Sequence, residues 1–396
     1  MFVNLNHKNY VIYVALLSII SATITFIIPI WLLAETKSPF IVSIISSILV
    51  IISGSVTPFS GTLADRYAKI RLIKIGATVI LISSLMLFIF NSFTFVLTLS
   101  AFLICLRMIG ISINSPVNSS LLMDMITKEE LPKAVPINQV TTQVSQTVSP
   151  LLGGLVIVLL GYHYAFLLET IVILFAIFFI SKVKLSTEIT KKNNRSFIDD
   201  LVNGFKMIFQ STKIFAFILV AACINILGAS MMLAIQTHLV LSNVEQFWYG
   251  IVLASSPVGS IIGATLSRKI KWGSSLIYFA FLCVAMMAVL NIFMGVAINN
   301  LVLFTILFFL SGIFFGFSNV YFGILYRTEV PESQQGKFFG FLSSFMIISI
   351  PLGTVLNGYL LEIYQPGPII IVLGIITFLI GSISSIYFKF LYINSK

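Results

Sequence analysis

The sequence predicts an all-α membrane protein, with twelve transmembrane helices arranged as two pseudo-symmetric six-helix bundles. Three observations predict it. Hydrophobic residues make up 58% of the 396 residues and charged residues only 9%, against about 25% charged in soluble domains. Apolar stretches of about 20 residues or more, enough to cross a hydrocarbon layer of roughly 30 Å, recur along the whole chain. The basic residues between them fall almost entirely on one side. The composition also excludes disordered, collagen-like and disulfide-stapled classes.

The stretches run over 10–34, 40–63, 72–91, 95–122, 138–161, 163–181, 213–240, 246–267, 274–297, 300–325, 338–361 and 366–391. The first has too long an apolar part for a cleaved signal peptide, and no small-residue cleavage site follows it. Counting from an N-terminus on the inner side, the inner loops hold Lys8, then Arg66, Lys69, Arg71 and Lys74, then Lys128 and Lys133. The central segment, the loop Arg268–Lys271 and the later inner loops and tail hold the rest. Of the 23 Lys and Arg, only Lys37 and Arg107 escape this pattern. The positive-inside rule then puts both termini in the cytoplasm of a multi-pass cell-membrane protein. One missed or invented span would scramble the bias. The net charge of +10 therefore belongs to loops at a lipid surface and not to nucleic-acid binding. Heavy use of Ile, Asn and Lys is that of an AT-rich bacterial genome.

The one sizeable connection, 182–212, separates a first bundle (1–181) from a second (213–396). Its part Phe197–Phe209 has helical apolar spacing, as either an amphipathic helix on the membrane surface or a solvated tether. The halves echo each other. Gly61 and Gly263 both precede a basic loop, Pro150 and Pro351 both sit mid-stretch, and Glu129-Glu130-Leu-Pro132 matches Glu329-Val-Pro331, all at nearly the same offset. Two parallel halves with a site between them near the midplane is a transporter arrangement. Gly259-x-x-x-Gly263 and Gly312-x-x-x-Gly316 are small-residue seams for close helix packing.

The stretch Gly61-Thr-Leu-Ala-Asp65-Arg66-Tyr-Ala68-Lys69-Ile-Arg71 resembles the loop signature between helices two and three of the major facilitator superfamily. Ala68 stands at the second glycine position, and the tenth position is Ile70. Gly61 would let a neighbouring backbone approach. Asp65 would meet a facing helix N-terminus, a gain of roughly 0.3–1 kcal/mol. Arg66, Lys69 and Arg71 would pair with it or with lipid phosphates. The resemblance implies a cytoplasmic gating latch. In the fifth stretch, Ser145-Gln-Thr-Val-Ser149-Pro150-Leu-Leu-Gly153-Gly154 is similar to the family's antiporter signature, with Ser at its first two Gly positions. Pro150 should kink this helix. The motif implies export. Ser115-Pro116-Val-Asn118 through Asp124 and Glu130-Leu-Pro-Lys-Ala134 look like the branch holding bacterial macrolide and siderophore exporters. The resemblance spans nearly the whole chain. It implies a monomeric secondary transporter, driving proton-coupled efflux of amphipathic drug-like compounds by alternating access. A siderophore exporter, or an importer or facilitator of a lipid-like or nutrient solute, has the same fold.

Arg107 lies inside the fourth stretch, where an Arg costs at least roughly 2.5–3.5 kcal/mol. It must face the interior and find a partner, either for gating or as a structural hydrogen bond to carbonyls. Candidates for proton coupling are Glu169, Arg107 and Asp124. Glu169 sits about two turns into the sixth stretch. Desolvation there favours a neutral carboxyl, as a proton carrier requires; the alternative is a Glu that snorkels or pairs structurally. Asp124 ends the fourth stretch and either caps it or joins the latch. Polar residues at helical spacing mark a candidate substrate path: Asn114 and Asn118, then Gln139, Gln143 and Gln146, then Asn225, Gln236, Asn319 and Tyr321. Each either lines a wet cavity or glues helices. The remaining lining is apolar and aromatic, which suits an amphipathic substrate. No metal site or cofactor is expected: Cys105, Cys223 and Cys283 stand alone. No phosphate-binding Gly-x-x-x-x-Gly-Lys-Ser/Thr loop occurs, and no catalytic cluster lies at membrane depth, so the chain does not read as an enzyme.

Overall fold

The computed structural model describes residues 5–127, 130–183, 212–242, 244–267, 276–329 and 332–393. The expected segment 197–209 and the loop Arg268–Lys271 lie outside the described residues. Among the described residues eleven helices follow one another: α1 (Leu5–Thr36), α2 (Pro39–Arg66), α3 (Lys69–Asn91), α4 (Leu97–Met125), α5 (Leu131–Ser181), α6 (Thr212–Leu241), α7 (Gln246–Ser267), α8 (Leu276–Val296), α9 (Leu301–Glu329), α10 (Glu332–Ile363) and α11 (Pro366–Ile393). All eleven are long and apolar enough to cross a membrane.

Helix α5 counts for two crossings. Its 51 residues would make a rod of about 77 Å at 1.5 Å per residue. The chain breaks at Gly161, with φ 76° and ψ 171°, a conformation that glycine tolerates and a Cβ does not. Contacts along the two arms show the return. Glu130 lies within electrostatic reach of His7 at the start of α1. Gly153 packs on Phe26 further along α1. His163 meets Ser92 at the far end of α3, at 2.7 Å. Beyond the turn, Glu169 has come back down to Ser84 of α3. Twelve membrane-length segments result, with the break between the fifth and sixth predicted stretches.

The burial pattern is that of a protein solvated by lipid. Leu159, Leu352 and Ile386 are 75%, 71% and 70% exposed, while Arg107 and Glu169 are 1% and 0% exposed. Water would penalise that surface at about 25 cal/mol per Å²; hydrocarbon does not. Many helical hydroxyls return to their own helix, as Thr23 does to the Ile19 carbonyl (2.8 Å) and Thr377 to that of Leu373 (2.7 Å). This satisfies polar groups where no water is at hand.

The chain forms two compact units. One comprises Met1–Glu35 with Ile48–Asn194, the other Thr36–Ser47 with Arg195–Lys396. In the first unit α3 and α4 approach through glycines. A Cβ on Gly76 would lie 2.9 Å from the Gly110 carbonyl oxygen, and one on Gly110 would lie 2.7 Å from that of Gly76. Helix α5 packs on α1 at Gly153, three residues after Pro150; an added Cβ would lie 2.9 Å from Phe26 Cε1. Pro150 has no N–H to give the Gln146 carbonyl, and the Ser149 hydroxyl supplies that bond at 3.0 Å. The only non-helical backbone inside α5 is at Gly161.

The second unit repeats the device. Gly353 follows Pro351 and packs α10 on α6, where a Cβ would lie 3.1 Å from the Ile226 carbonyl oxygen. Two asparagines cross the same contact: Asn225 donates to the Met346 carbonyl at 3.0 Å, and Asn357 to that of Ser230 at 2.8 Å. Helices α7 and α9 interlock through the two seams. A Cβ on Gly259 would lie 3.1 Å from the Ile313 nitrogen, and one on Gly263 3.1 Å from the Ile313 Cα. On the facing helix, a Cβ on Gly312 would lie 2.7 Å from the Ser256 Cα, and one on Gly316 2.9 Å from the Ala264 nitrogen. The opening turns of α2 also belong here. The Ser38 hydroxyl and the Phe40 N–H donate to the Glu362 carboxylate of α10, and Ser47 and Thr354 share a hydrogen bond at 3.1 Å.

Candidate functional site

Arg107 lies ten residues into α4, about 15 Å from its start at 1.5 Å per residue. Arg107 is 1% exposed, so the guanidinium must be satisfied by protein. It is. Arg107 Nε donates to Glu169 Oε1 at 3.1 Å and to Oε2 at 2.9 Å, and Nη2 donates to Oε1 at 2.7 Å. Nη1 donates to Thr25 Oγ1 at 3.1 Å and Nη2 to the Ser21 carbonyl at 2.9 Å. Ser84 Oγ donates to Glu169 Oε2. Four segments thus converge: α1, α3, α4 and the second arm of α5. A forked guanidinium on a carboxylate is the strong geometry for such a pair. It is neutral as a whole, which is what allows it to lie fully buried. The expected partner for Arg107 and the expected carboxyl at membrane depth turn out to be each other's.

Asp124 does not join them. It lies seventeen residues further along α4, about 25 Å away at helical rise. There it pairs with Lys69 at the start of α3, and the same ammonium reaches the Ser120 carbonyl at 3.5 Å. Its side chain is 38% exposed. That carboxylate ties the end of α4 to the start of α3, away from the buried pair. Asp124→Asn should cost less than about 1 kcal/mol of stability, read by thermal unfolding in detergent, and leave the pH dependence of transport unchanged.

The structure describes only part of the predicted latch, and Asp124 joins that part as one of its two expected roles. Lys69 takes Asp124 as its partner, and Arg71 is exposed. Gly61 admits no neighbouring backbone, since a Cβ there would meet nothing within 4 Å. Asp65 and Arg66 end α2, and their side chains lie outside what the structure describes. In the fifth-stretch motif, Ser145 and Ser149 are buried with hydroxyls on their own helix, and Gly153 and Gly154 face inward.

The predicted path residues divide. Asn114 accepts from the Tyr13 hydroxyl at 3.4 Å, while the Asn118 carbonyl accepts from Tyr10 at 2.8 Å. Gln139 and Gln146 are exposed and so are not interhelical glue; the Gln143 side chain is not described. Gln236 is buried. Asn225 and Asn319 line a cavity of about 560 Å³ in the second unit. Tyr321 does not. It is fully buried against Ala280 and Cys283, stacked on Phe317. Positions 319 and 321 differ by about 200° around a helix, so one faces the cavity and the other the core.

The cavity is walled by Met231, Met232, Met287 and Met346 with Phe308, Phe315 and Phe322, and no charged side chain lines it. Its polar seats are amides and hydroxyls, among them Asn291, which accepts from Ser311 at 2.8 Å. The volume suits a drug-sized molecule, and flexible thioethers adapt to varied shapes. Sequence reasoning missed Ser84, Thr25, Asn291 and Ser311. Hydroxyls are so common as self-satisfied groups in apolar helices that nothing in the sequence marks the few that cross. Among the described residues, no cluster of three or more His, Cys, Asp or Glu has metal-binding geometry.

The fold is shared with solved transporters. The chain is similar to the nucleoside transporter NupG, with a TM-score of 0.76, 13% identity and coverage of 98% of this chain and 99% of that one. It is similar to a D-xylose-proton symporter, with a TM-score of 0.67, 12% identity and coverage of 96% and 95%. It also resembles the inward-open xylose transporter XylE from E. coli, with a TM-score of 0.63, 13% identity and coverage of 96% and 94%. No curated protein matches the sequence. Residues 11–326 match the profile of the Major Facilitator Superfamily. With the helical fold and that match over most of its length, the chain belongs to the major facilitator superfamily, a family of membrane transporters and not of enzymes.

Proposed function

We infer that this transporter is a proton-coupled exporter of amphipathic, drug-like small molecules, of which macrolides are one class. The observation that carries it is the buried Arg107–Glu169 pair. A buried ion pair is a poor stabiliser compared with apolar side chains of equal volume, so its presence at membrane depth favours a functional role. Protonating Glu169 changes the charge of the site by one, which is what coupling requires. Each charge moved across the membrane gains roughly 2.3 kcal/mol per 100 mV. The apolar, charge-free cavity supports a substrate held by area with a few polar contacts. Export is favoured by the small-residue packing of Ser145, Ser149 and Gly153 around Pro150. Multi-pass insertion in a bacterial cell membrane, with both termini cytoplasmic and the monomer as working unit, accords with the basic loops.

A second reading is import of a hydroxyl-rich nutrient, favoured by the asparagines at 225, 291 and 319 around the cavity. Proteoliposomes carrying an imposed pH gradient distinguish the two. A fluorescent amphipathic dye is expected to move uphill against proton flow, and a protonophore to stop it. Dye movement that ignores the gradient would remove the antiport reading. Co-directional uptake of a nucleoside or pentose with protons would establish the second.

A further inference from the structure

The Arg107–Glu169 pair is held from two sides by partners on different helices. Glu169 Oε2 takes the Ser84 hydroxyl of α3. Arg107 instead reaches α1, at the Thr25 hydroxyl and the Ser21 carbonyl. Thr25 in turn donates to that same carbonyl at 2.7 Å. Ser84 contrasts with its neighbour Ser83, whose hydroxyl simply returns to the Val79 carbonyl. Both charged groups are fully buried, yet Thr25 is exposed. Beside it, the Ser21 hydroxyl is buried without a hydrogen-bond partner.

We propose that Ser84 and Thr25 are the positioning residues of the coupling pair, Ser84 holding Glu169 in its ionised form and Thr25 holding Arg107 once Glu169 has been neutralised. The proposal rests on reading that pair as the coupling site. A hydroxyl donating to a carboxylate favours the charged form over the neutral one. When a proton arrives from the Thr25 side, it adds to a Glu169 carboxylate oxygen and the guanidinium keeps its charge. Arg107 then needs acceptors other than Glu169, and Thr25 with the Ser21 carbonyl supplies them. Each member keeps a hydrogen-bond partner when the pair parts, although the guanidinium then lacks a counter-charge.

Among the described residues, no other titratable group is hydrogen-bonded to Arg107 or Glu169. From α4 the charged group is Arg107 itself; α3 presents Ser84, and α1 presents Ser21 and Thr25. His163, on the same arm as Glu169, is engaged with Ser92 and the Phe88 ring.

The two residues therefore act in opposite directions, which a merely structural role would not produce. In proteoliposomes, the pH of half-maximal transport should rise by about one unit in Ser84→Ala and fall by about one unit in Thr25→Val, the size of one hydrogen bond to a charged group. Ser84→Cys, with a weaker donor, should shift it less and in the same direction as Ser84→Ala. Ser84→Thr should restore the wild-type profile, and Ser83→Ala should leave it unchanged. Unshifted profiles in folded, transporting Ser84→Cys and Thr25→Val proteins, or shifts of the same sign in both, would overturn the proposal. Wild-type pH dependence in Glu169→Gln would instead overturn the coupling reading beneath it.

Discussion

Glu169→Gln should destabilise the protein by about 3–5 kcal/mol and abolish proton-driven transport. The first effect follows from burial. Arg107 is 1% exposed and Glu169 is fully buried, so removing the carboxylate leaves a guanidinium charge with no counter-charge in a medium that cannot solvate it. Arg107→Met should cost a similar amount by stranding the carboxylate. Replacing both, Arg107→Met with Glu169→Leu, removes both charges at once and should recover most of the lost stability. Coupled transport should stay absent in the double variant. Thermal unfolding in detergent and gradient-driven flux on the same four proteins separate the two effects. A double variant no more stable than the singles would show that the pair's hydrogen bonds to Ser84 and Thr25, and not its charge balance, govern the site.

Gly263→Leu and Gly316→Leu should each prevent recovery of folded protein. At these positions the neighbour is backbone: the Ile313 carbonyl against Gly263, and the Ser260 carbonyl against Gly316. Ordinary overpacking costs about 1–3 kcal/mol because side chains can shift. A main-chain carbonyl cannot shift without moving its helix, so the two helices must separate. Gly61→Leu is the control, because its surroundings are open, and it should fold as the wild type does. Size-exclusion chromatography and thermal unfolding of the three variants read the result. Folded Gly263→Leu protein with wild-type stability would mean that α7 and α9 do not touch along this seam.

The spans were legible because lipid imposes a simple rule on composition, and the fifth and sixth stretches part beside Gly161, where the chain turns. The need of Arg107 for a partner was legible for the same reason. That the partner is Glu169, sixty-two residues on, follows only from how four segments are brought together. Asp124 and Glu169 look alike as carboxyls beside apolar stretches; depth separates them, and depth depends on where a helix starts. Tyr321 reads as a path candidate with Asn319 because both are polar, for a cavity or for helix packing, and helical geometry sets the two on opposite faces. Gly61 was expected to mark a close approach, as Gly263 does, yet its surroundings are open. Sequence offset carries the duplication; it does not carry which copies of a residue still make contact.

Gly161 bears on more than the shape of one corner. The helix over 137–181 is long enough to cross twice, and without the reversal at Gly161 it would cross once, giving an odd number of crossings and parting the two ends of the polypeptide. A single achiral residue restores evenness. A side chain there would strain the one reversal on which that even number rests.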